Sequence, residues 1–198
     1  MFYLDTSLAV VIAYLIGSLS SAIILCKLLG LPDPRTQGSG NPGATNVLRF
    51  GGKKVAVLTL LGDVFKGVIP VLIAREYGLD TLGVALVALA AFLGHLYPIF
   101  FRFQGGKGVA TAFGCLVALS LPLGLALLLT WLIIAIVFRY SSLAALITAL
   151  AAPVYAWYFT NEMNTWVACA ISLLLIYRHH RNIYNLLTGK EDKIGKKL

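Results

Sequence analysis

Long apolar runs separated by short polar segments organise the chain. The first runs from Ser7 to Leu29, the second from Val55 to Ala74 with Asp63 and Lys66 inside it, and the third from Thr81 to Phe101. A charge-free stretch then extends from Val109 to Phe138, with Ser120-Leu121-Pro122-Leu123-Gly124 breaking it near the middle. Two more runs follow, Ser142 to Phe159 and Thr165 to Tyr177. A helix crosses a bilayer core with about 20 apolar residues. The pattern therefore predicts an all-α, polytopic integral membrane helical bundle with seven transmembrane helices. Five is the alternative if the short runs 109–119 and 165–177 do not cross.

Composition agrees. The chain has 198 residues, 59% hydrophobic and 12% charged, and a mean hydropathy of +0.87. Soluble domains carry about 25% charged residues, so a disordered chain is excluded and the composition points away from an ordinary soluble fold. The length fits a single integral-membrane domain over 1–198. Sixteen Lys/Arg against eight Asp/Glu give a net charge of +8, and their placement sets an orientation. With the N-terminus outside and the C-terminus cytoplasmic, every Lys and Arg falls on an inside segment except Lys66, within a span, and Arg75. The outside segments carry Asp5, Glu76, Asp80 and Glu162. That is the asymmetry the positive-inside rule describes. Met1 to Asp5 shows no basic leader region, so the first run reads as a retained span rather than a signal peptide. Cys26, Cys115 and Cys169 lie in apolar sequence and form no CxxC, which reads as small buried hydrophobes without disulfide or metal roles.

Polar residues are scarce, and they gather in the inside loops. The richest is Gln37-Gly38-Ser39-Gly40-Asn41-Pro42-Gly43-Ala44-Thr45-Asn46, followed by Arg49. Its three glycines let backbone N–H groups converge on an anion. Ser39, Thr45 and Asn46 add side-chain hydrogen bonds, and Arg49 a bidentate contact with phosphate. The alternative is a flexible inter-helix loop. A dinucleotide-binding turn is disfavoured, because an apolar helix precedes the glycines and Pro42 interrupts them.

Gln104-Gly105-Gly106-Lys107-Gly108, before Val109-Ala110-Thr111, is not a Walker A loop. Phe101 stands where the first glycine belongs, and Gly108 where Ser or Thr belongs. A glycine-flanked lysine opening a helix remains, and a helix N-terminus favours an anion. The plainer reading is a membrane-surface lysine beside a turn. Asp63 and Lys66 share a helix face and make either a functional polar pair or a structural ion pair. His95, before Tyr97-Pro98, fits helix packing. Arg139-Tyr140-Ser141-Ser142 supplies a phosphate contact or a helix cap. In Arg178-His179-His180-Arg181-Asn182-Ile183, the side chains of Arg178, His179 and Asn182 can line one face. The plainer reading there is a basic flank to the last span. Adjacent histidines face different ways, so the pair is no metal site.

Taken in order, GSGNPGATN with Arg49, DxxKG at 63–67, GHxxP at 94–98, FxGGKGVAT at 103–111, RxSS at 139–142 and RHxxNI at 178–183 with Gly189-Lys190-Glu191 resemble one family. It is that of the bacterial integral-membrane acyl-phosphate:glycerol-3-phosphate acyltransferases, the PlsY family. The resemblance covers the chain from the first span to Glu191. It implies transfer of a fatty acyl group from acyl phosphate to the sn-1 hydroxyl of glycerol 3-phosphate. The products are 1-acylglycerol 3-phosphate (lysophosphatidic acid) and phosphate, in the first acylation of bacterial phospholipid biosynthesis. It further implies a cytoplasm-facing site in the cell inner membrane and no use of acyl-CoA.

The implied partners are acyl phosphate, glycerol 3-phosphate and membrane lipids, with no nucleic acid, cofactor or metal. The implied catalytic set is Ser39, Arg49, Lys107, His179 and Asn182. Phosphate binding falls to Gly38, Ser39, Gly40, Asn41, Gly43, Thr45, Asn46, Arg49, Gly105, Gly106, Lys107, Gly108 and Ser142. Asp63, Lys66, Arg139 and Glu191 take structural or substrate-positioning roles. His180 departs from the pattern and takes none. The HxxxxD motif of other glycerolipid acyltransferases is absent, since Phe100, Tyr184 and Asn185 stand five residues after the three histidines.

Phosphate is a good leaving group, so positioning and charge stabilisation can supply most of the acceleration. The proton of the attacking hydroxyl goes to His179 or to a substrate phosphate oxygen, by direct transfer without a covalent acyl-enzyme. The rival class is a transporter of a phosphorylated anion, which also uses glycine loops and broken helices. It would need an outside vestibule that these short outside turns do not offer. A non-catalytic membrane scaffold would leave the glycine loops unexplained. The tail from Lys190 to Leu198 is expected to be a mobile surface segment, tied down only at Glu191.

Overall fold

The computed structural model describes residues 5–196, which are helical with short connections. The reading of the first four residues, and the end of the tail beyond Lys196, fall outside that range. The order is α1 (Thr6–Gly17), α2 (Ser21–Leu28), α3 (Ala44–Phe50), α4 (Gly52–Glu76), α5 (Thr81–Leu96), α6 (Val109–Leu119), α7 (Leu121–Phe138), α8 (Ser141–Phe159), α9 (Glu162–Arg178) and α10 (His180–Leu187). A 3-10 turn at Ile99–Phe101 ends the third apolar run. Asp5, Ser20, Asp80, Ser120 and Asn161 start helices by accepting a hydrogen bond from a first-turn N–H, which satisfies donors no helix can satisfy itself.

Among the described residues, four helices are long and apolar enough to cross a membrane, namely α4, α5 with its 3-10 extension, α7 and α8. The first apolar run is not one helix. It breaks between Gly17 and Ser21, and α1 and α2 meet at 45°. Taken as one bent span they make a fifth. The break leaves the Leu19 carbonyl without a helical partner, and Lys66 Nζ donates to it at 2.8 Å. The charge-free run divides at Ser120, as the Ser-Leu-Pro pattern predicts, leaving α6 only 11 residues long.

The packing is that of a membrane protein. Small residues fill the interior, among them Ala13, Ala22, Ala91, Ala144 and Ala168, while Leu129, Ile136, Val137, Leu150 and Trp157 face outward. Apolar side chains gain nothing by leaving lipid, so helices associate through close backbone contact at small residues. Gly67 and Gly114 illustrate it. A Cβ on Gly67 would run into the Thr111 carbonyl, and one on Gly114 into the Val64 carbonyl, so α4 and α6 touch backbone to backbone.

Three features depart from the sequence reading. The glycine loop contains the short helix α3. The segment after Arg178 forms a separate amphipathic helix, α10. The tail is docked to Ile194 rather than only at Glu191. Lys190 N–H donates to the Asn185 carbonyl, and Ile194 N–H donates to the Arg139 carbonyl at 2.7 Å.

Candidate active site

Four loop regions converge at one end of the bundle. They are residues 33–50, residues 102–108, the α7–α8 turn, and the stretch from Arg178 to Ile194.

The glycine loop is wound around Asn46, which is buried at 1% exposure. Its Oδ1 accepts from Ser39 N–H at 3.0 Å, and its Nδ2 donates to the Pro34 and Gln37 carbonyls, each at 2.9 Å. Gly40 N–H donates to Gln37, and Gly43 N–H to Asn41. The backbone amides of Ser39, Gly40 and Gly43 are thus turned inward. Those three amides serve the loop here rather than an anion, and both ends of the Asn46 amide are likewise committed to the loop. Gly38 and Gly40 are needed for their left-handed backbone, at φ 53° and 71°. Arg35 anchors the loop from outside, bonding Asp33 between 2.6 and 3.2 Å, and holds that carboxyl below the usual carboxylate range. The outcome is a stiff platform presenting the exposed hydroxyls of Ser39 and Thr45. Thr45 Oγ1 lies 3.3 Å from Ser141 Oγ at the start of α8.

Gly105 and Gly106 are also structural. A Cβ on Gly105 would strike the His95 carbonyl, and one on Gly106 the His95 imidazole. Gly106 N–H donates to the His95 carbonyl at 3.2 Å. Both are glycines because the loop lies flat on the end of α5, and the Gly106 amide serves the loop rather than an anion. Gly108, at φ 87°, packs on Phe92 and Leu96 and turns the chain into α6. Behind His95 stands a buried ion pair. Lys66 Nζ is 2.8 Å from Asp63 Oδ1, and His95 Nδ1 is 3.8 Å from the same oxygen.

Lys107 projects from this loop. Its Nζ donates to Asn182 Oδ1 at 2.5 Å, Asn182 Nδ2 donates to Glu191 Oε1 at 2.7 Å, and Ser142 Oγ donates to the same oxygen at 2.5 Å. Ser142 is buried and committed to Glu191, which corrects its expected role as a phosphate ligand. Arg49 lies beside this chain, its Nη1 3.3 Å from Asp192 Oδ2. Burial pushes the Lys107 ammonium down to about 8; Arg49, Arg178 and Arg181 push it the same way, and Glu191 opposes them.

His179, 2% exposed, directs Nδ1 at the Leu175 carbonyl at 2.8 Å. Burial holds its imidazole down at about 4; the Leu175 carbonyl opposes this, and Lys107 and Arg178 add to it. It is neutral at pH 7, and with Nδ1 donating, Nε2 carries the lone pair. The structure brings Ser39, Thr45, Arg49, Lys107, His179, Asn182 and Glu191 to one end of the molecule. Arg139 enters only through its backbone carbonyl; Asp63 and Lys66 lie deeper, behind His95. Among the described residues, no group of three or more His, Cys, Asp or Glu is placed to hold a metal ion.

Sequence reasoning missed Asp192. Asp192 lies in a segment taken as mobile. Arg178 is placed by the sequence on one face with His179 and Asn182 but is given no role of its own there.

A helical bundle with an apolar exterior, and with cations, hydroxyls and a neutral imidazole gathered at one end, defines an integral membrane protein with a polar, cationic site at the end of its bundle. The comparisons agree. Residues 7–189 match the family model described as glycerol-3-phosphate acyltransferase, and the chain belongs to that family. The glycerol-3-phosphate acyltransferase of Burkholderia multivorans is 59% identical over 193 residues, covering 96% of this chain and 91% of that protein. That of Shewanella loihica is 55% identical over 185 residues, covering 93% and 91%. Among solved structures, the glycerol 3-phosphate form of PlsY, an integral membrane glycerol 3-phosphate acyltransferase, superposes with a TM-score of 0.91 at 43% identity over 96% of both chains. Its lysophosphatidic acid form gives 0.89 at 42% identity, over 96% of this chain and 95% of that one.

Proposed function

We propose that this protein transfers a fatty acyl group from acyl phosphate to the sn-1 hydroxyl of glycerol 3-phosphate, releasing lysophosphatidic acid and inorganic phosphate. The observation that carries the reading is the Lys107–Asn182–Glu191–Ser142 chain with Arg49 beside it, cations kept short of full neutralisation where two phosphates must meet. The names of the similar proteins support the acceptor and the product. The donor rests on the motifs and on the chemistry of the site.

In the proposed step the acceptor hydroxyl oxygen attacks the acyl carbonyl carbon. The bond from that carbon to the phosphate oxygen breaks, and phosphate departs with the electron pair. Arg49 and Lys107 stabilise the charge on the phosphates, and Ser39 and Thr45 offer hydroxyl contacts. Asn182 fixes the ammonium, and Glu191 fixes Asn182. The proton has two candidate acceptors, His179 Nε2 and a phosphate oxygen. No covalent acyl-enzyme is involved.

The protein acts as one domain in the cell inner membrane, with seven spans, the N-terminus outside and the site facing the cytoplasm. The charge asymmetry supports this, as does the alternation of loops between the two ends of the bundle. The test is purified protein in detergent or lipid, supplied with acyl phosphate and glycerol 3-phosphate. Lysophosphatidic acid and phosphate should form together, and acyl-CoA should not replace the donor. Absence of product overturns the activity. A pre-steady-state burst of phosphate without glycerol 3-phosphate overturns direct transfer.

A further inference from the structure

Arg178 ends α9 and turns the Nε–Nη2 edge of its guanidinium onto one loop. Nε donates to the Gly106 carbonyl at 3.2 Å, and Nη2 donates to the Gly105 carbonyl at 2.9 Å and to that of Gly106 at 3.1 Å. The head also sits 5.7 Å from the centroid of the Tyr97 ring, which limits how it can swing. On its opposite side the same loop is seated on His95, through the Gly106 N–H bond and the two glycine contacts. The three bonds of Arg178 all go to neutral carbonyls, so its charge stays uncompensated next to Lys107.

We propose that Arg178 is a positioning residue for the acyl transfer: it clamps the Gly105–Gly106 carbonyls against α5 and so fixes where the Lys107 ammonium stands. This rests on the reading above that Lys107 serves the reacting phosphates. The groups facing Lys107 are Arg49 from α3, Arg178 from α9, Asn182 and Arg181 from α10, Glu191 from the tail, and His179 at the α9–α10 junction. Arg178 is the one among them that also holds the Lys107 backbone segment. Removing it therefore acts twice, on the place of the ammonium and on its proton affinity.

The test uses the full chain with Arg178→Gln and Arg178→Lys. One readout is the pH dependence of Lys107 modification by an amine-reactive reagent on the substrate-free protein, resolved by mass spectrometry. The other is kcat and KM. Arg178→Gln should lower kcat by about tenfold or more, change KM for glycerol 3-phosphate less, and move Lys107 titration toward the ordinary lysine value. Arg178→Lys keeps the charge but not the fork, so it should hold the titration near wild type and recover part of kcat. Wild-type kcat and titration in Arg178→Gln overturn the proposal. So does lost activity with an unshifted titration, which would make Arg178 a scaffold only. If Arg178→Gln does not fold, Arg178→Lys decides, and wild-type kcat there overturns the clamp. The labelling readout is independent of acyl transfer, so an inactive wild type would sink the proposed activity without deciding this one.

Discussion

Lys107 should give the proposed enzyme an alkaline limb that an ordinary lysine would not. Burial lowers its ammonium to about 8 against 10.5 for a free lysine, with Arg49, Arg178 and Arg181 adding to the effect and Glu191 opposing it. A group at 8 is about three-quarters protonated at pH 7.5 and about one-tenth at pH 9. If only the cation serves, kcat/KM for glycerol 3-phosphate should fall about eightfold over that interval. A bound phosphate favours the charged lysine, so the limb in kcat should lie at higher pH than the limb in kcat/KM. The assay is steady-state phosphate release against pH, with donor hydrolysis in the absence of enzyme subtracted. Lys107→Arg provides the internal check. A guanidinium does not deprotonate in this range, so the limb should vanish, while the altered fork geometry lowers kcat throughout. A wild-type profile level to about pH 10, or a limb unchanged in Lys107→Arg, would refute the assignment of the charge to Lys107.

Asp192 occupies Arg49 at 3.3 Å and is itself held by Lys196 at 2.7 Å, so a substrate phosphate must compete with it; Asp192→Asn should lower KM for glycerol 3-phosphate about two- to fivefold, the scale of a half-exposed ion pair, and a raised KM would count against that competition. His179 sits at about 4 when folded against 6.5 when unfolded. The unfolded chain therefore binds the extra proton first, and as pH falls from 6.5 toward 4 stability should drop by up to about 3 kcal/mol; thermal unfolding in detergent should show this slope in wild type, and His179→Gln should flatten it. Gly114 meets the Val64 carbonyl at the α4–α6 contact; Gly114→Ala should cost about 1–3 kcal/mol by overpacking, and an unchanged melting temperature would mean that the helices do not touch there.

The apolar pattern carried most of the fold. Runs of hydrophobic residues bounded by charges gave the cores of α4, α5, α7, α8 and α9, because helix length in a bilayer is set by apolar length alone. What the pattern hid was where a run bends. Gly17-Ser18-Leu19-Ser20-Ser21 carries residues that break and cap helices, but a break within an apolar run also needs a donor for the freed carbonyl, and that donor, Lys66 from α4, lies far along the chain. At the site, residue types were more legible than their duties. Glycine, serine and asparagine next to arginine pointed to an anion-binding end, yet Asn46, Gly105 and Gly106 serve the loops themselves. A sequence shows that a glycine is needed; it does not show whether a ligand or a neighbouring helix requires the space. Asp192 was illegible for a different reason: a carboxylate in a basic tail carries no local signal, and its meaning comes only from the fold returning it to Arg49.

Helix α6 and the Lys107 loop make sense as one unit. Eleven residues rise about 16 Å, roughly half of a ~30 Å hydrocarbon core. Contacts of Gly67 with Thr111 and of Arg75 with Ala118 set α6 parallel to α4. The seating of Gly106 on His95, which faces Asp63, brings Lys107 to a level about three turns into α4. On the seven-span reading, the loop before α6 is therefore recessed, and non-helical backbone at such depth is tolerable only where protein satisfies it. That condition is met from two sides, by the His95 carbonyl taking the Gly106 N–H and by Arg178 taking the Gly105 and Gly106 carbonyls. A full-length α6 would have carried Lys107 out to the water. The short helix instead keeps the cation partly buried, at a depth that suits the proposed reaction, in which the donor's phosphate meets it while the acyl chain stays in lipid.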